Sequence, residues 1–155
     1  MIQQVPQTIE DIETLPVRIE YVAEVPSKWA EDKPCNVDQW RVSVTGPSGY
    51  WSTDYFTGLG LRTPAVVRRD IGGRTYIKAP AKIKKPSIAS VMHCLLIYAS
   101  AADENFNDWC ANFGYSDDSL KALNTYKQCL EVGTALRRHF SPATLSALRD
   151  LLQDY

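Results

Sequence analysis

Hydrophobic spacing changes period once along this chain, at Pro86, and that change limits the folds open to it. Before Pro86, apolar and polar residues alternate: Val17, Ile19 and Tyr21 against Arg18 and Glu20, then Trp40, Val42 and Val44 against Arg41 and Ser43. A period of two puts each set on one face of a half-buried strand. After Pro86, the residues Ile88, Val91, Met92, Leu95, Tyr98, Ala99 and Ala102 recur every three or four positions, which is the stripe of an amphipathic helix. The pattern predicts an α+β fold, with a small antiparallel sheet in the N-terminal half packed against a C-terminal bundle of three to four helices.

Punctuation refines the β-rich part, residues 17–85. Pro26 ends the first strand, and the charged stretch from Ser27 to Asp38 reads as a loop. A second strand is expected over Gln39 to Thr45. The turn signal Gly46-Pro47-Ser48-Gly49 leads into a third over Tyr50 to Thr57. Ala65 to Asp70 and Arg74 to Ala79 flank Ile71-Gly72-Gly73, and a Gly-Gly pair favours a tight hairpin. Pro80 and Pro86 make the intervening stretch extended rather than helical.

The helical part, residues 86–155, opens with Pro86 or Ser87 at a helix start. A short helix is expected over about Glu104 to Phe113, with Phe106, Trp109, Cys110 and Phe113 inward and Gly114 closing it. A long helix capped by Ser116 or Asp117 runs to His139, its core face carrying Leu120, Leu123, Tyr126, Leu130, Gly133, Leu136 and Phe140. Ser141-Pro142 begins the last, with Leu145, Leu148, Leu151 and Leu152 inward. Residues 1–16 read as a loose, flexible arm or as a short helix around Thr8 to Glu13. At 155 residues the whole suits one domain.

Charge is the unusual feature. The net charge is −1, yet residues 62–85 hold eight bases against Asp70 alone, while residues 1–61 hold four bases against nine acids. Such a balance excludes an acidic nucleic-acid mimic. The basic residues Arg62, Arg68, Arg69, Arg74, Lys78, Lys82, Lys84 and Lys85, interleaved with Tyr76, form a candidate surface for an anion or a partner. The competing reading is that they shield an exposed hairpin from edge pairing. Trp51, Tyr55 and Phe56, beside Trp40 and Tyr50, form a candidate aromatic interface, because one face of their strand points away from the core.

Catalytic patterns are missing. There are two histidines: His93, beside Cys94 in a helix, and His139, which reads as a capping or solvated residue at a helix end. Neighbouring helical residues point about 100° apart, so His93 and Cys94 make no dyad. A cysteine-dependent enzyme would have to assemble in space, from His93 with Cys110 or Cys129. The four cysteines lack close zinc-type spacing, and buried reduced thiols are expected. The run from Asp103 to Gly114 lacks the glycine and glutamate of a calcium loop. Neither a phosphate-binding loop nor a dinucleotide fingerprint occurs. No catalytic residue, metal or cofactor is therefore assigned. No apolar run is long enough for a membrane span, and no basic, apolar leader opens the chain, so a cytoplasmic location is expected.

Several phrases in order, WRVSV (Trp40 to Val44), TDYFTGLGLR (Thr53 to Arg62), PSIASVMHCLLIYASA (Pro86 to Ala101), FNDWCANFGYSDDSLKA (Phe106 to Ala122) and YKQCLEVGTALRRHF (Tyr126 to Phe140), carry a resemblance. The chain resembles a group of small accessory proteins encoded by tailed bacteriophages and prophages. The likeness implies a context, the cytoplasm of a host bacterium, and carries over no catalytic residue. What it implies is a non-enzymatic interaction protein for host takeover, which binds and inhibits or redirects a host protein or protein–nucleic-acid complex, as an anti-CRISPR or other anti-defence factor does. The alternative is a nucleic-acid-binding phage accessory protein acting through residues 62–85. Neither reading involves a membrane, and neither sets an oligomeric state.

Overall fold

The computed structural model describes residues 1–27, 35–59, 62–63, 66–69, 75–79 and 82–155, with the backbone alone for 62–63, 66–69, 75–79 and 82. The fold is α+β: a three-stranded antiparallel sheet followed by helices that pack together. The elements are α1 (Ile9–Ile12), β1 (Val17–Pro26), β2 (Asn36–Gly46), β3 (Gly49–Gly58), β4 (Arg62–Thr63), β5 (Val66–Arg69), β6 (Thr75–Ala79), β7 (Lys82–Ile83), α2 (Ile88–Ala99), α3 (Phe106–Phe113), α4 (Leu120–His139) and α5 (Pro142–Leu152). A 3-10 turn, Ser100–Asp103, follows α2.

The chain sorts into two compact units. Met1–Arg18, Val42–Thr53 and Ser87–Tyr155 form the helical unit, and Ile19–Arg41 with Asp54–Pro86 form the strand-rich unit.

In the helical unit every long helix starts on a side-chain cap. Ser87, Asn105, Ser119 and Ser141 each accept a hydrogen bond from the backbone N–H three residues on. Each such cap satisfies one of the amides that a helix start leaves bare, a gain of about 1 kcal/mol. The cap of α4 is thus Ser119 rather than Ser116 or Asp117. Ser116 instead donates to the Asp118 carboxylate in the preceding turn. Gly114 closes α3 in the left-handed region at φ 75°, where a side chain would be strained.

The face that α4 buries also differs from the expected one. Ala122, Cys129, Gly133, Leu136 and His139 are buried, whereas Leu120 is 70% exposed. Gly133 faces the end of α2, and the two helices approach closely there: a Cβ built on Gly133 would stand 3.4 Å from the Ala99 Cα. The bulky Tyr126 and Leu130 pack, with Phe106 and Tyr115, against a cluster that joins Ala122 and Cys129 of α4 to Trp109 and Cys110 of α3. Tyr115 stacks on Trp109 at 5.1 Å and 7°, and the Tyr126 hydroxyl donates to the Glu104 carbonyl at 2.7 Å. Phe113, expected inward, is 47% exposed, because the cluster is filled from α4 and the segment after α3.

The strand-rich unit has a different interior. Its β2 starts at Asn36, three residues earlier than the alternation suggested, and burial on that strand continues from Trp40 back to Asp38. Asp38 is fully buried and accepts a hydrogen bond from the Tyr21 hydroxyl at 3.3 Å. Trp40 meets Tyr21 edge-on at 5.2 Å and donates from its indole nitrogen to Thr57 Oγ1 at 2.9 Å.

Candidate functional site

The basic segment folds as a paired ribbon. In β4 and β7, Arg62 stands opposite Ile83 and Thr63 opposite Lys82. In β5 and β6, Arg68 stands opposite Tyr76 and Arg69 opposite Thr75, with a register shift between Val66 and Val67. Both pairs are antiparallel. Ladder positions alternate between the two faces of a ribbon, so Arg68 and Tyr76 share one face and Arg69 belongs to the other. Lys78 falls at the register shift, where β6 has one residue more than β5. The hairpin expected from Ile71-Gly72-Gly73 therefore exists as paired strands, although its turn and Arg74 lie outside the described residues. Lys84 and Lys85 follow β7 and are exposed.

Of the three candidate aromatics, Trp51, Tyr55 and Phe56 are each half-buried. Trp51 stacks on His139, with centroids 6.3 Å apart and planes at 23°. Tyr50 is the outward ring of β3, 63% exposed, and its hydroxyl donates to Ser43 Oγ at 3.3 Å.

His139 corrects an expectation. It is buried, at 4% exposure, rather than capping or solvated, because the step from Leu136 to His139 keeps it on the buried side of α4. Its imidazole Nδ1 has no hydrogen-bond partner. Burial pushes its pKa below the usual histidine range, and Arg138 and the amino terminus add to the shift. The N-terminal segment docks on the same turn: Ile2 N–H donates to the His139 carbonyl at 2.7 Å, and Ser141 N–H donates to the Ile2 carbonyl at 2.8 Å. The Thr144 hydroxyl donates to the Gln4 carbonyl at 2.7 Å.

The thiols are free: Cys35 is exposed, Cys94 half-buried, and Cys110 and Cys129 buried. Burial is the largest influence on Cys94, Cys110 and Cys129, and pushes all three thiols up. An activated nucleophile needs the opposite shift. His93 rests against Tyr155, with centroids 5.9 Å apart. The Tyr155 hydroxyl lies 3.2 Å from both Ser87 Oγ and Ser90 Oγ, and these hydrogen bonds lower its pKa. Among the described residues no group of three or more His, Cys, Asp or Glu side chains could hold a metal ion. Among them, too, no helix is long and apolar enough to cross a membrane.

Two hollows open beside α5. One, of about 210 Å³, is lined by Arg137, Phe140, Pro142, Leu145 and Arg149. The other, of about 350 Å³, includes His93, Ile97, Asp103, Leu152 and, again, Arg149. Sequence reading missed them, because their walls come from separate helices. The one available signal was an arginine in the last turn of both α4 and α5.

These features define an α+β protein with a basic ribbon, an aromatic strand and a helical unit bearing two hollows. No family model, curated protein or solved structure matches the chain.

Proposed function

We propose that this is a non-enzymatic accessory protein of a tailed phage or prophage, which binds and inhibits or redirects a macromolecular complex in the cytoplasm of its host. An anti-CRISPR or other anti-defence role fits that description. The observation that carries the reading is the antiparallel pairing of the most basic stretch, which sets Arg62, Arg68, Arg69 and Lys82 on two short ladders, with Lys78 at the register shift of one of them. Cations held on paired strands lose less conformational freedom on binding than cations on a loose loop. The resemblance to phage accessory proteins supplies the context, and the raised thiols add weight against a cysteine enzyme.

The test is affinity purification from host cells, comparing the native chain with a variant carrying Arg68→Glu, Arg69→Glu and Lys78→Glu. One host complex is expected to be enriched by the native chain and lost with the variant. Equal recovery by both, or recovery by neither, sinks the reading.

A second reading, direct nucleic-acid binding, is favoured by the register of Tyr76 opposite Arg68, which puts an aromatic ring type and a cation on one ribbon face. It predicts affinity that falls with salt, with a log–log slope of about −0.7 to −0.9 for each phosphate neutralised. Salt-independent binding in a mobility-shift titration eliminates it.

A further inference from the structure

We infer that the smaller hollow beside α5 is a binding site for a carboxylate carried on a short aliphatic body, free or as the end of a peptide. Its lining contains no residue of the basic ribbon, and it does not depend on the function proposed above.

Two arginines line one space of about 210 Å³: Arg137 from the last turn of α4 and Arg149 from the last turn of α5. A guanidinium stays charged at every accessible pH, so a small hollow with two arginines in its lining favours an anion as its occupant. Neither forms an ion pair among the described residues. The hydrogen bond Arg137 does make, at 3.5 Å, goes to the Thr134 hydroxyl, which leaves its charge unneutralised. The bland account is that each arginine complements the carbonyl end of its own helix. That explains one arginine per helix, and does not explain why both line the same hollow.

The remaining walls decide what kind of anion fits. Leu145, Pro142 and the buried Phe140 make up the rest of the lining. An aliphatic body can shed water against these side chains while its carboxylate takes the planar two-pronged hydrogen bonds that guanidinium offers. A free phosphate would satisfy the arginines and waste the apolar walls. The larger hollow shares Arg149 and is also lined by Asp103 and His93. A carboxylate there would face Asp103, so the anionic end belongs between Arg137 and Arg149, and an amide or other neutral polar group suits the far side.

The experiment is an NMR titration of the full chain with N-acetyl-leucine, following the Leu145 methyls and the Arg149 side-chain N–H. Saturable shifts are expected, with a dissociation constant on the order of 1 mM for so small a ligand. N-acetyl-leucinamide, which has the same body without the charge, is expected to bind at least about tenfold more weakly. Arg149→Gln should weaken binding by a similar factor, and Arg149→Lys, which keeps charge but loses the fork, should fall between. Arg137→Gln provides a second variant, and melting curves confirm that each remains folded. A peptide ending in leucine that binds more tightly than the free acid points to a chain end as the source, and equal affinity points to a small acid. Absence of saturable shifts, binding unchanged in both arginine variants, or inorganic phosphate binding as tightly as N-acetyl-leucine overturns the inference.

Discussion

The helical unit and the strand-rich unit are held together by different chemistry. In the helical unit the deepest side chains are mostly apolar: Phe140, Ile12, Met92, Leu95, Leu136, Leu148 and Leu152 are all under 2% exposed, with Thr144 the polar residue buried as deeply. In the strand-rich unit the described interior is Ile19, Asp38 and Trp40, and two of these three carry a polar group that must be satisfied. It is: Tyr21 reaches Asp38, and Trp40 reaches Thr57. Apolar burial is non-directional and scales with area, so the helical unit tolerates any well-filled arrangement. A buried carboxylate or indole N–H tolerates only an arrangement that supplies its partner, so hydrogen bonds select the pairing in the strand-rich unit. Among the described residues of the helical unit, the buried Thr144 is satisfied by the Gln4 carbonyl, while Nδ1 of His139 is buried without a partner.

The largest test of the contrast is Phe140→Ala. Removing a fully buried ring from the helical unit is expected to cost about 3–5 kcal/mol in a urea titration. A loss under about 1 kcal/mol would mean that this core is not where stability resides.

Acid should act next, through His139. Its folded pKa is lowered, so the unfolded chain binds the proton more readily. The stability that the neutral ring contributes is therefore complete above the unfolded value near 6.5 and is lost as pH falls below it, at no more than about 1.4 kcal/mol per pH unit. Replacing His139 with Phe should flatten that part of the profile. If the native profile and that of His139→Phe are parallel between pH 5 and pH 7, roughly the span over which histidine ordinarily titrates, another group is responsible.

The smallest effect falls in the strand-rich unit. Trp40→Phe keeps an aromatic ring and removes the indole donor, and about 1 kcal/mol should be lost. The part of the loss that belongs to the bond should vanish against a Thr57→Val background, where the partner hydroxyl is already gone, while the cost of the smaller buried ring remains. Additive losses in that double-mutant cycle would show that the bond to Thr57 contributes nothing, and the contrast between the two interiors would weaken.

Much of the architecture follows from local rules. Alternation through Val17–Ile19 and Trp40–Val44 marks strands, since a one-residue change of face would expose the whole apolar set. Serines ahead of apolar stripes start helices, and Gly114 stops one, because the backbone groups at a helix end have few other partners. The basic hairpin was readable from Gly-Gly between two short β-prone runs. Local rules failed where a residue had two acceptable surroundings. Leu120 and Phe113 are apolar enough for a core, yet the space they would fill is taken by Trp109, Tyr115 and Tyr126. Asp38 looked like a loop residue, because its charge is acceptable inside only with a partner seventeen residues away.

The order of strands and helices, their caps and the concentration of positive charge are properties of neighbouring residues, decided within a turn or a strand length. Other features depend on residues far apart in the chain. The closeness of α2 to α4 at Ala99 and Gly133, the burial of His139 beneath the N-terminal segment, and the convergence of Arg137 and Arg149 on one hollow are of this kind. Periodicity says that a helix has an inner face, but packing selects which residues lie on it, because close contact depends on the volumes and partners available from other elements.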